Sequence, residues 1–168
     1  MMAYIAICQI MLFFCRLSQD NALIMHIKHN KILDGVTLTP LKKIGHPKGD
    51  VFHAMKSSDE GFSGFGEAYF STVNKSEIKG WKKHTKMILN LVVPIGEIEF
   101  VVYDGSDFFS VKLSKKNYQR LTIKPNLWLA FKGISDENML LNLASIEHTP
   151  AESENTELHN FNYDWSGL

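Results

Sequence analysis

The chain has 168 residues, 45% of them hydrophobic, with 18 basic and 18 acidic side chains and a formal net charge of zero. That length suits one domain with an ordinary buried core and leaves no room for a second. The balanced charge excludes the global electrostatic footprint of a nucleic-acid binder or of a protein held on an anionic membrane.

Residues 1–15, MMAYIAICQIMLFFC, hold both cysteines, Cys8 and Cys15, so the chain offers neither a disulfide framework nor a paired-cysteine metal site. A reducing, cytoplasmic setting fits. The run is apolar but shorter than the roughly 20 residues a spanning helix needs, and it lacks the basic leader and small-residue cleavage pattern of a secretory signal. Met25 opens MHIKHNKILDG, which reads like the start of a soluble protein. The expectation is that translation begins at Met25, making residues 1–24 an upstream extension and residues 25–168 one domain without stable membrane insertion. A membrane-associating helix is the rival reading.

Ile32 to Leu41 alternates weakly and ends at Pro40, predicting a short edge strand. Gly45 to Asp50 is a loop by its glycines and proline, Val51 to Met55 is one helical turn or a short strand, and Ser57 to Glu60 is a second loop. Aromatic and β-branched residues then predict a strand from Glu67 to Val73, with Glu67, Tyr69 and Ser71 on one face.

The stretch Lys79 to Asp104, KGWKKHTKMILNLVVPIGEIEFVVYD, carries a lysine- and histidine-rich rim, then two apolar runs separated by Pro94-Ile95-Gly96. Proline lacks an amide hydrogen and glycine tolerates turn dihedrals, so the spacing predicts a hairpin. Beyond it come a turn at Asp104 to Asp107 and strands at Phe108 to Leu113, Gln119 to Ile123, Leu127 to Lys132 and Met139 to Ile146. Short strands at this spacing predict an all-β sandwich or barrel. The tail from Glu147 is polar up to Phe161, Tyr163 and Trp165, which are expected to fold onto the barrel or onto a neighbouring subunit. Their apolar area predicts a homodimer.

Lys82 and His84 share a strand parity and are candidates to face one pocket. Histidine is the usual acid-base group near neutral pH. A lysine is protonated there and holds a phosphate or polarises a carbonyl. Lys79, Lys82, Lys83 and Lys86 form a basic patch suited to a phosphorylated small molecule, or else a solvated loop. Glu67 and Tyr69 are candidate acid-base partners, and His53 follows the Lys48-Gly49 loop toward the same mouth. Asn90, polar within an apolar strand, is a pocket contact or a satisfied core group. Trp81 either stacks on a base or sugar ring or packs.

The strand ending at Asp104, the Leu113-Ser114-Lys115-Lys116-Asn117 turn and the strand from Pro125 to Phe131 resemble the cupin-type barrel of dTDP-4-dehydrorhamnose 3,5-epimerases and dTDP-sugar 3,4-ketoisomerases. The similarity runs from about Leu41 to Ile146. It implies a cupin-type antiparallel jelly-roll barrel, a nucleotide-sugar substrate, no cofactor and no metal. In the epimerases an Arg-Gly-aliphatic-His segment supplies a base; here it reads Lys79-Gly80-Trp81-Lys82. In the ketoisomerases Arg-Gly-Phe-His-x-His ends on a second histidine, which is His84. The resemblance also places a substrate-binding basic residue at Lys48, the family's strand glutamine at Glu67, and the epimerases' acidic tyrosine at Asn142. The histidine of the family's His-Gly-Phe motif is Leu129, and late metal-binding histidines have no counterpart.

The resemblance implies an isomerase acting on a nucleotide-linked keto-sugar in cell-surface polysaccharide synthesis. The alternatives are a non-catalytic sugar or sugar-nucleotide binding cupin, and a cupin with another substrate.

Overall fold

The computed structural model describes residues 32–166, so the expectation for residues 1–24 lies outside the described residues. The strands are β1 (Val36–Pro40), β2 (Lys43–Ile44), β3 (Val51–Phe52), β4 (Glu67–Thr72), β5 (Ile78–His84), β6 (Leu89–Ile95), β7 (Glu97–Tyr103), β8 (Phe108–Ser114), β9 (Gln119–Ile123), β10 (Trp128–Gly133), β11 (Met139–Ala144) and β12 (Ser153–Asn155). Short 3-10 turns lie at Pro150–Glu152 and Leu158–Asn160. Two five-stranded sheets result, ordered β1-β9-β6-β11-β4 and β12-β5-β10-β7-β8, with β2 and β3 pairing as a separate arm. Pairing within the sheets is antiparallel, the architecture of a jelly-roll barrel.

Alternation selects the core. Leu89, Leu91 and Val93 on β6 meet Ile98, Phe100 and Val102 on β7, with Leu121 and Ile123 from β9, because residues two apart point to the same side of a sheet. Val101 and Ala130 face the other way and join Trp81 in a second cluster, capped by Leu158, Phe161, Tyr163 and Trp165 of the tail. The second sheet is thereby covered on both faces, which is why Phe100-Val101-Val102 reads as a continuous apolar run. The tail aromatics fold onto their own barrel: Phe161 meets Trp81 edge-on at 5.4 Å between ring centres.

The expected hairpin at Pro94 to Gly96 is not one. β6 and β7 follow each other in the chain but belong to different sheets, so the turn between them is a corner. Gly96 has φ 75°, and a Cβ there would lie 2.0 Å from the carbonyl oxygen of Glu137. Pro94 sits where the β11–β6 register slips between the Leu141↔Val92 and Met139↔Ile95 pairs, a bulge in which its missing donor breaks no ladder. Two apolar strands facing each other across a core have the same period as two hydrogen-bonded neighbours, so the pattern could not separate the cases. β7 instead forms a hairpin with β8, whose turn is closed by Asp104 Oδ1 accepting from the amides of Ser106 and Asp107 at 2.8 Å.

Arg120, fully buried on β9, donates to the carbonyls of Ala54 and Glu60 and to Asp59 Oδ2, pinning the preceding loop to the first sheet.

Two phenylalanines test this division. Phe100 is fully buried and Phe70 is 63% exposed. Phe100→Ala is expected to cost about 3–5 kcal/mol and Phe70→Ala no more than about 0.5 kcal/mol, as read from urea midpoints.

Candidate active site

β5 builds the site by breaking its own alternation. Leu129 pairs with Lys82 and Phe131 with Lys79, so two steps along β10 span three along β5. The bulge at Gly80-Trp81 absorbs the extra residue and puts Lys79 and Lys82 on the same side as the inward Leu129. A Cβ on Gly80 would lie 2.6 Å from Ala130, so that close approach requires glycine. Trp81 turns outward into the aromatic cluster and donates its indole N–H to the Leu158 carbonyl at 3.3 Å. Of its two sequence readings, packing is the one observed.

The side chains of Lys79, Lys82 and His84 border a cavity of about 440 Å³ between the sheets. Tyr69 and Ser71 of β4 form one wall, Leu89, Leu91, Leu129 and Leu140 the apolar floor, and Asn155, Thr156 and Glu157 of the tail another wall. Lys79 Nζ donates to Ser71 Oγ at 3.0 Å and to the Thr72 carbonyl at 3.3 Å. Asn142 Nδ2 donates to the Tyr69 hydroxyl oxygen at 3.1 Å, which leaves the phenolic hydrogen free for a ligand.

His84 is buried, and its Nδ1 lies 2.5 Å from Glu152 Oε1. A carboxylate only accepts, so this bond fixes the neutral tautomer with hydrogen on Nδ1 and leaves Nε2 to act as a base. Glu152 is delivered by the tail: β12 pairs with β5 in the register Ser153↔His84, Glu154↔Lys83 and Asn155↔Lys82. The same carboxylate receives the Met87 amide at Oε2, 3.4 Å away, and His148 Nδ1 at Oε1, 3.3 Å away.

Burial pushes the His84 imidazole below its ordinary 6.5; the hydrogen bond and charge of Glu152 oppose this, while Lys82 and His148 add to it. Burial pushes the Glu152 carboxyl up, but the hydrogen bond and charge of His84, with the bonds from His148 and the Met87 amide, outweigh it and leave it below 4.5. His84, His148 and Glu152 bring three possible ligand atoms within 4.8 Å of one another. A cation entering there would displace both bonds to Oε1 and sit beside the Lys82 charge, so the arrangement suits a hydrogen-bonded set.

The structure therefore gathers Lys79, Lys82, His84 and Tyr69 at one cavity, with Asn142 behind Tyr69. Glu67 shares the parity of Tyr69 but does not line the cavity. Asn90 has the parity opposite to Leu89 and Leu91; it accepts from Thr122 Oγ1 at 2.7 Å and donates to the Gly61 carbonyl at 3.3 Å, so it is the satisfied core group rather than a pocket contact. Lys48 is exposed in the β2–β3 turn, and His53 bonds through its backbone to Lys42 and Tyr118; neither lines the cavity, because the arm they sit on packs against Lys115 and Tyr118 at the β8–β9 connection. Sequence reasoning missed Glu152, His148 and the Asn155–Glu157 wall. A glutamate-rich tail reads as solvated, and nothing local marks one carboxylate as buried 68 residues from its partner.

Fold and cavity together define a jelly-roll protein with a buried histidine and two lysines at a pocket between its sheets. The FdtA family model, described as WxcM-like, C-terminal, matches residues 34–161, and the chain belongs to that family. A dTDP sugar isomerase from Desulfovibrio desulfuricans G20 is 32% identical, with TM-score 0.76 over 81% of this chain and 94% of that one. The 3,4-ketoisomerase QdtA from Thermoanaerobacterium thermosaccharolyticum, solved as a point mutant with TDP-4-keto-6-deoxyglucose, shares the fold at 22% identity and TM-score 0.66, covering 73% of this chain and 88% of that one. ChmJ, a 3'-monoepimerase from Streptomyces bikiniensis, shares it at 14% identity and TM-score 0.72, covering 82% and 77%. No curated protein sequence matches. No helix among the described residues is long and apolar enough to cross a membrane.

Acid sensitivity follows from the two depressed values. Both groups hold protons less readily folded than unfolded, so lowering the pH favours unfolding. The His84 contribution is complete above 6.5 and is lost as pH falls through its folded value; the Glu152 contribution is complete above 4.5 and is lost lower still. Urea midpoints are expected to begin dropping near pH 6.5, with the upper part of the drop flattened in His84→Gln.

Proposed function

We propose that this protein is an isomerase of nucleotide-linked keto-sugars, moving a proton at a carbon beside the sugar ketone. Family membership and the 32% identical dTDP sugar isomerase support the class. The observation that carries the reading is His84: a buried imidazole at the cavity wall, held below its ordinary value and oriented through Nδ1 by Glu152.

In the proposed reaction Nε2 of His84 takes the proton from the carbon next to the ketone, and the C–H electron pair becomes the enolate. Lys82, on the same face, stabilises the enolate oxygen. That oxygen becomes an anion only along the reaction path, so a fixed ammonium aimed at it lowers the barrier more than it aids binding. Tyr69, on the other sheet with its hydroxyl hydrogen free, is the acid that returns a proton; of the two candidate counterparts it is the one at the cavity, Glu67 being withdrawn. Lys79 holds the diphosphate by charge-assisted hydrogen bonds. The leucine floor suits a deoxy-sugar face. A place in cell-surface polysaccharide synthesis, a cytoplasmic location and a homodimer complete the proposal. Since the tail aromatics are used within one barrel, exposed Phe65 offers apolar surface for association.

Incubation with dTDP-4-keto-6-deoxyglucose in deuterated water tests the chemistry. Deuterium is expected at a ring carbon beside the ketone, and His84→Ala should slow turnover by about 10²–10⁴-fold with affinity nearly unchanged. Tight binding without exchange for any keto-sugar tried would mark a binding module instead. Light scattering at micromolar concentration should give a dimer mass; a monomer would remove that part.

A further inference from the structure

We propose that Asn155 and Glu157 of the tail bind the sugar hydroxyls lying between the reacting carbon and the diphosphate, and so set which hexose the cavity accepts. This rests on the isomerase reading, which puts the ketone at Lys82 and the diphosphate at Lys79.

Strand register brings both side chains to the cavity. β12 pairs Asn155 with Lys82, and one residue further on Thr156 and Trp81 exchange both backbone hydrogen bonds. Directly opposed residues of an antiparallel pair stand side by side on one face, so Asn155 lies on the cavity face next to Lys82. Alternation sends Glu154 to the other face, where it pairs with Lys83 at 2.9 Å. The backbone is still extended at Glu157, with φ −70° and ψ 150°, so Glu157 returns to the face of Asn155. Both residues line the cavity. Because the tail runs antiparallel to β5, this wall extends from Lys82 toward Lys79.

Neither side chain is used by the protein. Among the described residues the Asn155 amide and the Glu157 carboxylate make no hydrogen bond and no ion pair, although two lysines border the same cavity. Thr156 between them differs, its hydroxyl accepting from Asn160 Nδ2 at 2.5 Å. An amide that donates and accepts, beside a carboxylate that only accepts, is a set that neighbouring hydroxyls satisfy. The carboxylate also repels a diphosphate, so it aids binding only through ligand donors that meet it.

In a hexose with the diphosphate on its first carbon and a ketone on its fourth, the ring has two edges between those points. One edge carries the second and third hydroxyls. The other carries the ring oxygen and, in a 6-deoxy sugar, the methyl group. Leu89, Leu91, Leu129 and Leu140 of the floor suit the apolar edge, which turns the hydroxyl edge to the tail. Asn155, beside Lys82, then meets the third hydroxyl, and Glu157, nearer Lys79, meets the second.

Titration calorimetry on the full chain tests this with dTDP-glucose, dTDP-2-deoxyglucose and dTDP-3-deoxyglucose, which carry no ketone and bind without reacting. The natural protein should hold dTDP-glucose about tenfold more tightly than either deoxy form, the usual worth of one hydrogen bond. Glu157→Ala should bring the 2-deoxy ratio close to one and Asn155→Ala the 3-deoxy ratio. Ratios cancel the loss of the carboxylate's repulsion, which all three ligands feel alike. Both side chains are exposed, so neither substitution removes core packing. A ratio that survives in its variant overturns the proposal, as does equal weakening of all three ligands by a loosened tail. If the variants weaken dTDP alone as much as dTDP-glucose, the wall contacts the nucleotide and the proposal falls. Equal binding of all three sugars by the natural chain removes this proposal and leaves the isomerase reading standing, whereas binding of no nucleotide sugar at all removes both.

Discussion

The site depends on one strand pairing, that of Ser153–Asn155 with Lys82–His84. Without it β5 would be the edge of its sheet, with unpaired backbone groups and a histidine of unfixed tautomer. With it, the chain brings Glu152 beneath His84, lays Asn155 to Glu157 along the cavity, and carries the aromatic segment over Trp81. The ladder continues past β12, where Trp81 and Thr156 exchange both backbone hydrogen bonds at 3.1 and 3.2 Å. Lys83, pointing away from the cavity, pairs with Glu154 at 2.9 Å and lies over the Trp128 ring. Residues of β5 thus line the cavity on one face and anchor the tail on the other.

What the sequence made legible follows from period and turn chemistry. β9 falls on its predicted residues, β1 is an edge strand, and β4, β7, β8, β10 and β11 lie within two residues of expectation at each end. Lys82 and His84 were found because strand parity and family resemblance converge on them, Lys79 through the resemblance and the basic cluster, and Tyr69 through its parity with Glu67. Two kinds of fact were not legible. Which sheet a strand joins has no local signature, so β6 and β7 passed for a hairpin. Long-range burial of a polar group has none either, so Glu152 passed for a solvated glutamate while Asn90, a satisfied group under the Gly61 loop, looked like a site residue.

The bulge in β5 explains why parity alone found Lys82 and His84 but could not assign Lys79. In an unbroken strand Lys79 and Lys82 would face opposite sides, since they are three positions apart. One extra residue opposite Ala130 restores both to the cavity and turns Trp81 outward. A single local irregularity therefore sets the number of positive charges at the site, and bulges recur beside active sites for this kind of re-aiming.

Those charges are not equivalent. Lys79 is held by Ser71 and the Thr72 carbonyl, and Lys83 by Glu154, whereas among the described residues Lys82 donates no hydrogen bond to protein. Its ammonium is half-buried at the cavity and two residues from His84, where its field disfavours imidazolium. In the proposed reaction the same charge thus keeps His84 unprotonated beforehand and faces the anion that forms once His84 has taken the proton. Glu152 works against it on the other side of the ring, holding the tautomer and restoring part of the basicity that burial and Lys82 remove. A lysine where the His-x-His pattern has its first histidine is therefore compatible with the proposed proton transfer, in which one imidazole moves the proton and a fixed cation stabilises the enolate.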